Sequence, residues 1–275
     1  MSAAGSLRPA VPPAVRRARG YRLYDPSGAR YLDLYQDDGG AILGHRSAGA
    51  LRDMKDALSR GLTSRLPSVY QTRLTRAVGR LLPGCATVQA YHCLHAALRA
   101  ASVFLGSTLS EADIHDPAFG PAAEGTPAAF WRPFLPPLEG PGPRVVFPVL
   151  PPGGTTGPVA VCFREPPPGL PADPVAPYLL AGMLRGAADL AVAVRDDAAD
   201  RAVAAALTGS RSWRCRGPYV TAAFEPSLYP EVFRAFLEGG VLLRPTFPGP
   251  SILPGEATAG ERQVLTRLFT RIPGG

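Results

Sequence analysis

The segment GYRLYDPSGARYLDLYQDDGGAILGH, residues 20–45, contains the pattern that decides the fold. Two runs rich in tyrosine and leucine flank the tetrapeptide DPSG at 25–28. Aspartate, proline and glycine between two such runs favour a tight turn, so the segment predicts a β-hairpin. The pair Asp37-Asp38 follows the hairpin and precedes Gly39-Gly40, which predicts a second turn that carries two acidic side chains.

The rest of the 275-residue chain predicts a mixed α/β protein. Fifteen prolines fall between Pro133 and Pro177, so this stretch cannot hold long helices. Apolar periodicity predicts helices on both sides of it and short strands between them. The predicted helices span 47–60, 68–82, 92–105, 176–192, 195–207, 228–238 and 258–271. The predicted strands span 87–91, 144–150, 159–163, 218–224 and 241–244.

The charge of the chain does not indicate a nucleic-acid partner. The formal net charge is +7, but the basic residues are arginines scattered along the chain, apart from a single lysine, Lys55. A nucleic-acid-binding protein usually concentrates its basic side chains in one patch. We therefore expect no nucleic acid among the partners.

The apolar segments and the cysteines predict a cytoplasmic protein that does not contact a membrane. The longest apolar stretch, 178–194, is interrupted by Arg185 and Asp189, and residues 1–18 have no apolar core of a signal peptide. The four cysteines are far apart and include no Cys-x-x-Cys pair, which favours reduced thiols over a disulfide framework. They are Cys85, Cys93, Cys162 and Cys215.

The opening segment resembles the N-terminal signature of the class III pyridoxal-phosphate aminotransferases. The matching positions are Asp25, Gly28, Asp33, Gly39, Gly40, Leu43, Gly44 and His45. Near the other end, GVLLRP at 240–245 lies between two predicted helices, as in the last part of that family. The resemblance covers about residues 19–105 and 176–272.

The resemblance implies a fold-type-I small domain joined to a reduced remnant of the large domain. It divides the chain into a flexible leader at 1–18, an N-terminal aminotransferase-like segment at 19–105, a Pro/Gly-rich remnant at 106–175 and a C-terminal small domain at 176–275. It also implies a homodimer, because the N-terminal segment of the family packs against a second subunit.

The lysine content argues against the chemistry of that family. Transamination needs a lysine amine that forms an imine with the cofactor, and arginine cannot replace it because its guanidinium stays protonated. Lys55 lies on the predicted helix 47–60 beside Asp53 and Asp56, where we expect a solvated side chain. The sequence therefore predicts a degenerate protein with no catalytic residue and no bound cofactor.

The phosphate-binding segment of the family is also altered. Where the family has Ser-Gly-Thr-Glu-Ala, this chain has QAYHC at 89–93. The glycine and the hydroxyl groups that would hold a phosphate are replaced, and Tyr91 adds bulk. The aspartates available to pair with a pyridine nitrogen lie in loops, where we expect turn or surface residues; they are Asp113, Asp116 and Asp173.

The sequence leaves a ligand-binding or regulatory role, without catalysis, as the main hypothesis. A residual pocket for a small molecule would include Tyr91, His92, Asp37 and Asp38. The alternative is a pyridoxal-phosphate aminotransferase or aminomutase with atypical cofactor binding. A zinc site at Cys85, His92, Cys93 and His95 lacks a second ligand pair at standard spacing, so no metal is predicted. A nucleophilic Cys-His pair at Cys93 or Cys215 stays open.

Overall fold

The computed structural model describes residues 11–45, 47–136, 142–155, 157–167, 169–170, 173–196 and 202–271. The contacts divide the chain into two compact units. The terminal unit contains Met1–Gln36 and Ala199–Gly275, and the central unit contains Asp37–Ala198. These divisions differ from the segment boundaries at 18, 105 and 175, which stay predictions.

Eleven strands and seven helices make up the described part of the chain. The strands are β1 Arg17–Arg19, β2 Arg22–Tyr24, β3 Arg30–Asp33, β4 Thr87–Tyr91, β5 Ala128–Trp131, β6 Val145–Pro148, β7 Val159–Phe163, β8 Trp213–Arg216, β9 Tyr219–Ala222, β10 Val241–Leu242 and β11 Ser251–Ile252. The helices are α1 Ala48–Ser59, α2 Val69–Leu81, α3 Leu94–Leu105, α4 Pro177–Arg195, α5 Ala202–Ala206, α6 Tyr229–Glu238 and α7 Ala259–Thr270.

The predicted hairpin is confirmed in the terminal unit. Strands β2 and β3 pair antiparallel across the turn at Asp25–Gly28, and the Asp25 carboxylate accepts a hydrogen bond from the Ala29 N–H at 2.9 Å. Strand β10, from the other end of the chain, adds to β3 in parallel, with Val241 opposite Leu32. Strand β1 pairs with β2 at the end of the predicted leader, so residues 17–19 are extended there. Residues 1–10 lie outside the described residues, and the leader at 1–18 stays a prediction.

The core of the terminal unit is aromatic. Trp213 on β8 packs edge-to-face against Phe236 on α6 and Phe269 on α7. Strands β11, β9 and β8 form a second sheet in that order. The sequence predicted β9, α6 and α7 but neither β8 nor β11.

The central unit has a four-stranded sheet in the order β4-β7-β6-β5. Strands β6 and β7 confirm the predicted pair of strands and are antiparallel. Strand β5, which the sequence did not predict, runs parallel to β6 and is buried along its whole length. Helix α3 packs against this sheet and ends at Gly106, whose φ of +70° is a left-handed conformation that glycine adopts without strain.

Helix α4 crosses the central unit and packs against α1 and α2. By length and composition it is apolar enough to cross a membrane, although Arg185 and Asp189 interrupt it. Its buried face includes Leu180, Met183 and Leu190. Gly186 brings the helix so close to the Pro151 carbonyl that a Cβ could not fit between them.

The expectation of reduced thiols is wrong for two of the four cysteines. Cys85 and Cys162 form a disulfide with a Cα–Cα distance of 5.5 Å. The reason is the register of β4 against β7, which places Val88 opposite Cys162 and joins the Ala86 N–H to the Phe163 carbonyl. Strand pairing between residues far apart in sequence brings the two sulphur atoms together. Cys93 and Cys215 are free thiols.

Candidate functional site

The link between β4 and α3 carries two of the predicted site residues. Tyr91 ends the strand and is 1% exposed within the core beneath α3. Its hydroxyl donates a hydrogen bond to Gln89 Oε1 at 2.7 Å. Burial, together with the negative charge of Asp173, raises the pKa of Tyr91 well above its ordinary value, so the phenol stays protonated at neutral pH.

His92 is held by an aspartate from a distant part of the chain. Its ring Nδ1 lies 2.5 and 2.6 Å from the two carboxylate oxygens of Asp173, and its main-chain N–H donates to Oδ2 at 2.7 Å. On the opposite side of the ring, Nε2 lies 3.4 Å from Cys93 Sγ. Asp173 precedes α4 and is 81 residues from His92 in the sequence.

The Asp173 carboxylate lies against the main-chain N–H of His92, next to the N–H groups that begin α3. Free N–H groups and the helix dipole make the start of a helix a binding site for phosphate or carboxylate groups. Here the chain's own carboxylate lies at the residue before Cys93, the N-cap of α3. That carboxylate opposes the approach of a second anion to this helix start by electrostatic repulsion.

A cavity of about 280 Å³ borders this position. Tyr91, Asp173 and Gln89 line its polar part, and Leu66, Leu170 and Leu180 line its apolar part. The cavity can therefore hold a small, mainly apolar molecule that presents a hydrogen-bond donor to the carboxylate.

One of the two predicted acidic residues, Asp37, lies in the lining of another cavity. Asp37 lines a space of about 330 Å³, together with His45, Ser47 and Asp189. Asp38 is buried, and both aspartates have positive φ values of 50°. The structure therefore places Tyr91 and Asp37 in the linings of two separate cavities, whereas the sequence analysis grouped them in one pocket.

Lys55 lies on the exposed face of α1 and lines neither of these two cavities. Its helix turns Ala50 and Ala57 inward, so the lysine side chain points away from the buried face. The expectation of a solvated lysine is confirmed. In the described residues, no lysine amine faces either cavity.

The other loop aspartates have structural partners. Asp116 binds the buried guanidinium of Arg132 through two hydrogen bonds of 2.5 and 2.6 Å. Asp113 caps a short turn by accepting from the Ser110 N–H at 2.8 Å, as expected of a turn residue. Asp116 also accepts a hydrogen bond from the Ala118 N–H at 3.0 Å, as expected of a turn residue. The expectation of a turn or surface residue is wrong for Asp173, because no local pattern signals a partner 81 residues away in sequence. Within the described ranges, no group of three His, Cys, Asp or Glu side chains could hold a metal ion.

Sequence comparison finds relatives along most of the chain and along a short part of it. No protein-family model matches. An uncharacterized protein of Treponema pallidum is 28% identical over 273 residues, which cover 87% of this chain and 88% of that protein. A glutamate-1-semialdehyde 2,1-aminomutase of Thermus thermophilus is 38% identical over 73 residues, which are 26% of this chain and 17% of the aminomutase.

Solved structures match this chain over nearly its whole length. The ornithine δ-aminotransferase of Plasmodium falciparum matches with a TM-score of 0.70 and 14% identity, over 98% of this chain and 94% of that chain. The acetylornithine aminotransferase of Elizabethkingia anophelis matches with a TM-score of 0.66 and 14% identity, over 97% and 94% of the two chains. This chain therefore has the fold-type-I architecture of the class III pyridoxal-phosphate aminotransferases.

Proposed function

We propose that this chain binds a small molecule and has lost the Schiff-base chemistry of transamination. The observation that carries the proposal is the Asp173 carboxylate, 2.7 Å from the His92 main-chain nitrogen at the start of α3. In the aminotransferase fold, a cofactor phosphate would need this position. A fixed negative charge there opposes the binding of a phosphate by electrostatic repulsion.

The position of Lys55 supports the same proposal. An imine with a carbonyl compound requires a free amine inside the site, and the one lysine of the chain is exposed on α1. The cavity beside Tyr91 and Asp173 offers space for a ligand that is neutral or positively charged. We further propose a homodimer, by analogy with the aminotransferase family.

Titration with pyridoxal phosphate tests the proposal. The protein is mixed with the cofactor, scanned for the absorbance of an imine, reduced with borohydride and digested for mass spectrometry. We expect no saturable imine band and no reduced adduct at Lys55 beyond the level seen with a denatured sample. Lys55→Arg is the matched control, because it keeps the charge on α1 and removes the amine.

A saturable band that borohydride fixes on Lys55, and that Lys55→Arg abolishes, would overturn the proposal. A saturable rise in the melting temperature with pyridoxal phosphate, without a reduced adduct, would favour the alternative of atypical cofactor binding. Sedimentation of the same samples measures the proposed dimer independently of any ligand.

A further inference from the structure

Cys93, His92 and Asp173 are arranged in the order of a nucleophile, a base and an orienting acid. A carboxylate can only accept hydrogen bonds when it is ionised, so the contact between Asp173 and His92 Nδ1 places the ring proton on Nδ1. In the neutral ring, Nε2 then carries the lone pair, and this nitrogen lies 3.4 Å from Cys93 Sγ. His92 is therefore positioned to take the proton of the thiol.

The His92 ring is fixed in orientation by Asp173, and both His92 and Cys93 are partly exposed. Asp173 contacts both the ring and the main-chain N–H of His92, which limits rotation of the imidazole. The His92 side chain is 39% exposed, and Cys93 is half-buried. Both residues are therefore partly exposed to solvent.

The first turn of α3 begins at the residue after Cys93 and supplies main-chain hydrogen-bond donors. The Ala97 N–H bonds the Cys93 carbonyl, which begins the helical pattern. The N–H groups of the residues between them, 94–96, precede that pattern and have no acceptor within the described part of the chain. Such groups stabilise the negative oxygen that forms when a nucleophile attacks a carbonyl.

We propose that Cys93 is a self-acylating thiol that accepts the acyl group of a small ester or thioester. The sulphur attacks the carbonyl carbon while His92 Nε2 takes the thiol proton. The bond to the leaving oxygen or sulphur then breaks, and His92 returns the proton to that atom. The products are a thioester at Cys93 and a free alcohol or thiol, with no change of oxidation state and no cofactor.

This inference goes beyond the proposed function, because it requires neither a lysine nor a phosphate site. Cys93 has an imidazole nitrogen 3.4 Å from its sulphur. The other free thiol, Cys215, lacks such a setting: burial raises its pKa to about 11. Cys215 is therefore the internal control for ordinary thiol reactivity.

The test uses p-nitrophenyl acetate as the probe. We expect a burst of nitrophenolate close to one equivalent per chain, one added acetyl group by intact mass, and the acetyl on the Cys93 peptide. Cys93→Ala should abolish this acetylation, and Cys215→Ser should leave it unchanged. His92→Ala should slow it by about tenfold or more, and free imidazole should restore part of the rate.

Asp173 is a positioning residue in this scheme, so its variants need a comparison of their own. Asp173→Glu should keep more of the acetylation rate than Asp173→Asn, because only glutamate still orients the imidazole. Melting curves show whether each variant is folded, and rates are compared among folded variants. Acetylation at the wild-type rate in His92→Ala, or acetyl groups spread over other residues without a burst, would overturn the proposal.

Discussion

Asp173 Oδ2 lies 2.7 Å from the main-chain nitrogen of His92, and Oδ1 lies 2.5 Å from the ring Nδ1 of the same residue. One carboxylate thus links the segment before α4 to the start of α3. The pairing places a negative charge beside the start of the helix, and it also orients the imidazole that faces Cys93.

Removal of this carboxylate should change the response of the protein to anions. Asp173→Ala loses hydrogen bonds to a charged acceptor, so we expect a free energy of unfolding lower by about 1 to 3 kcal/mol. The start of α3 then becomes open to anions, and inorganic phosphate should raise the melting temperature of the variant more than that of the wild type. Calorimetry with phosphate and with chloride at equal ionic strength measures the difference. An equal phosphate effect in both proteins would contradict the blocked-site interpretation.

The pair between Arg22 and Glu261 should make stability depend on acid pH. Arg22 Nε and Nη2 donate to the two oxygens of Glu261 at 2.8 and 2.7 Å. Burial by itself would raise the pKa of Glu261, but the hydrogen bonds from Arg22 and Thr258 outweigh it and lower the pKa to about 2. A lowered pKa stabilises the fold above the ordinary value of 4.5, and this stabilisation is lost as the pH falls towards 2.

Glu261→Gln tests that pH dependence. We expect the variant to lose roughly 2 to 3 kcal/mol of unfolding free energy at neutral pH, and to lose less than the wild type between pH 4.5 and 2. Urea unfolding at several pH values measures both effects. Asp196→Asn is the control, because the exposed pair of Asp196 with Arg195 should contribute less than about 1 kcal/mol.

Two glycines in neighbouring helices should respond to alanine with opposite signs. A Cβ at Gly186 in α4 would collide with the Pro151 carbonyl, so Gly186→Ala should destabilise the protein by about 1 to 3 kcal/mol. A Cβ at Gly79 in α2 would meet no described atom within 4 Å. Because alanine favours a helix over glycine, Gly79→Ala should stabilise by about 0.5 to 1 kcal/mol. Denaturant midpoints of the two variants give the comparison.

The disulfide between Cys85 and Cys162 should make stability sensitive to reductant. The bond joins residues 77 apart in sequence, so breaking it frees a long loop in the unfolded chain. Cys85→Ser should lower the unfolding free energy by about 2 to 4 kcal/mol under oxidising conditions. Dithiothreitol should destabilise the wild type and leave Cys85→Ser unchanged. If dithiothreitol leaves the melting temperature of the wild type unchanged, the disulfide contributes little to the stability of the fold.

Local sequence patterns predicted most of the elements correctly. The DPSG turn predicted the hairpin of β2 and β3, and apolar spacing with the glycine at 106 predicted α3. Strand β7 was predicted with its observed bounds. These features depend on neighbours within a few residues, so local sequence patterns predict them. Strands β1, β5, β8 and β11 were missed, since they are short and depend on pairing with other strands.

The sequence alone determined the chemistry that the chain has available: a single lysine, and QAYHC where the aminotransferases hold a phosphate. Only the tertiary structure decided which groups meet. It joined Asp173 to His92, placed Cys162 beside Cys85, and separated Asp37 from Tyr91. Contacts between residues so far apart arise from strand register and helix packing, and no local spacing in the sequence encodes them.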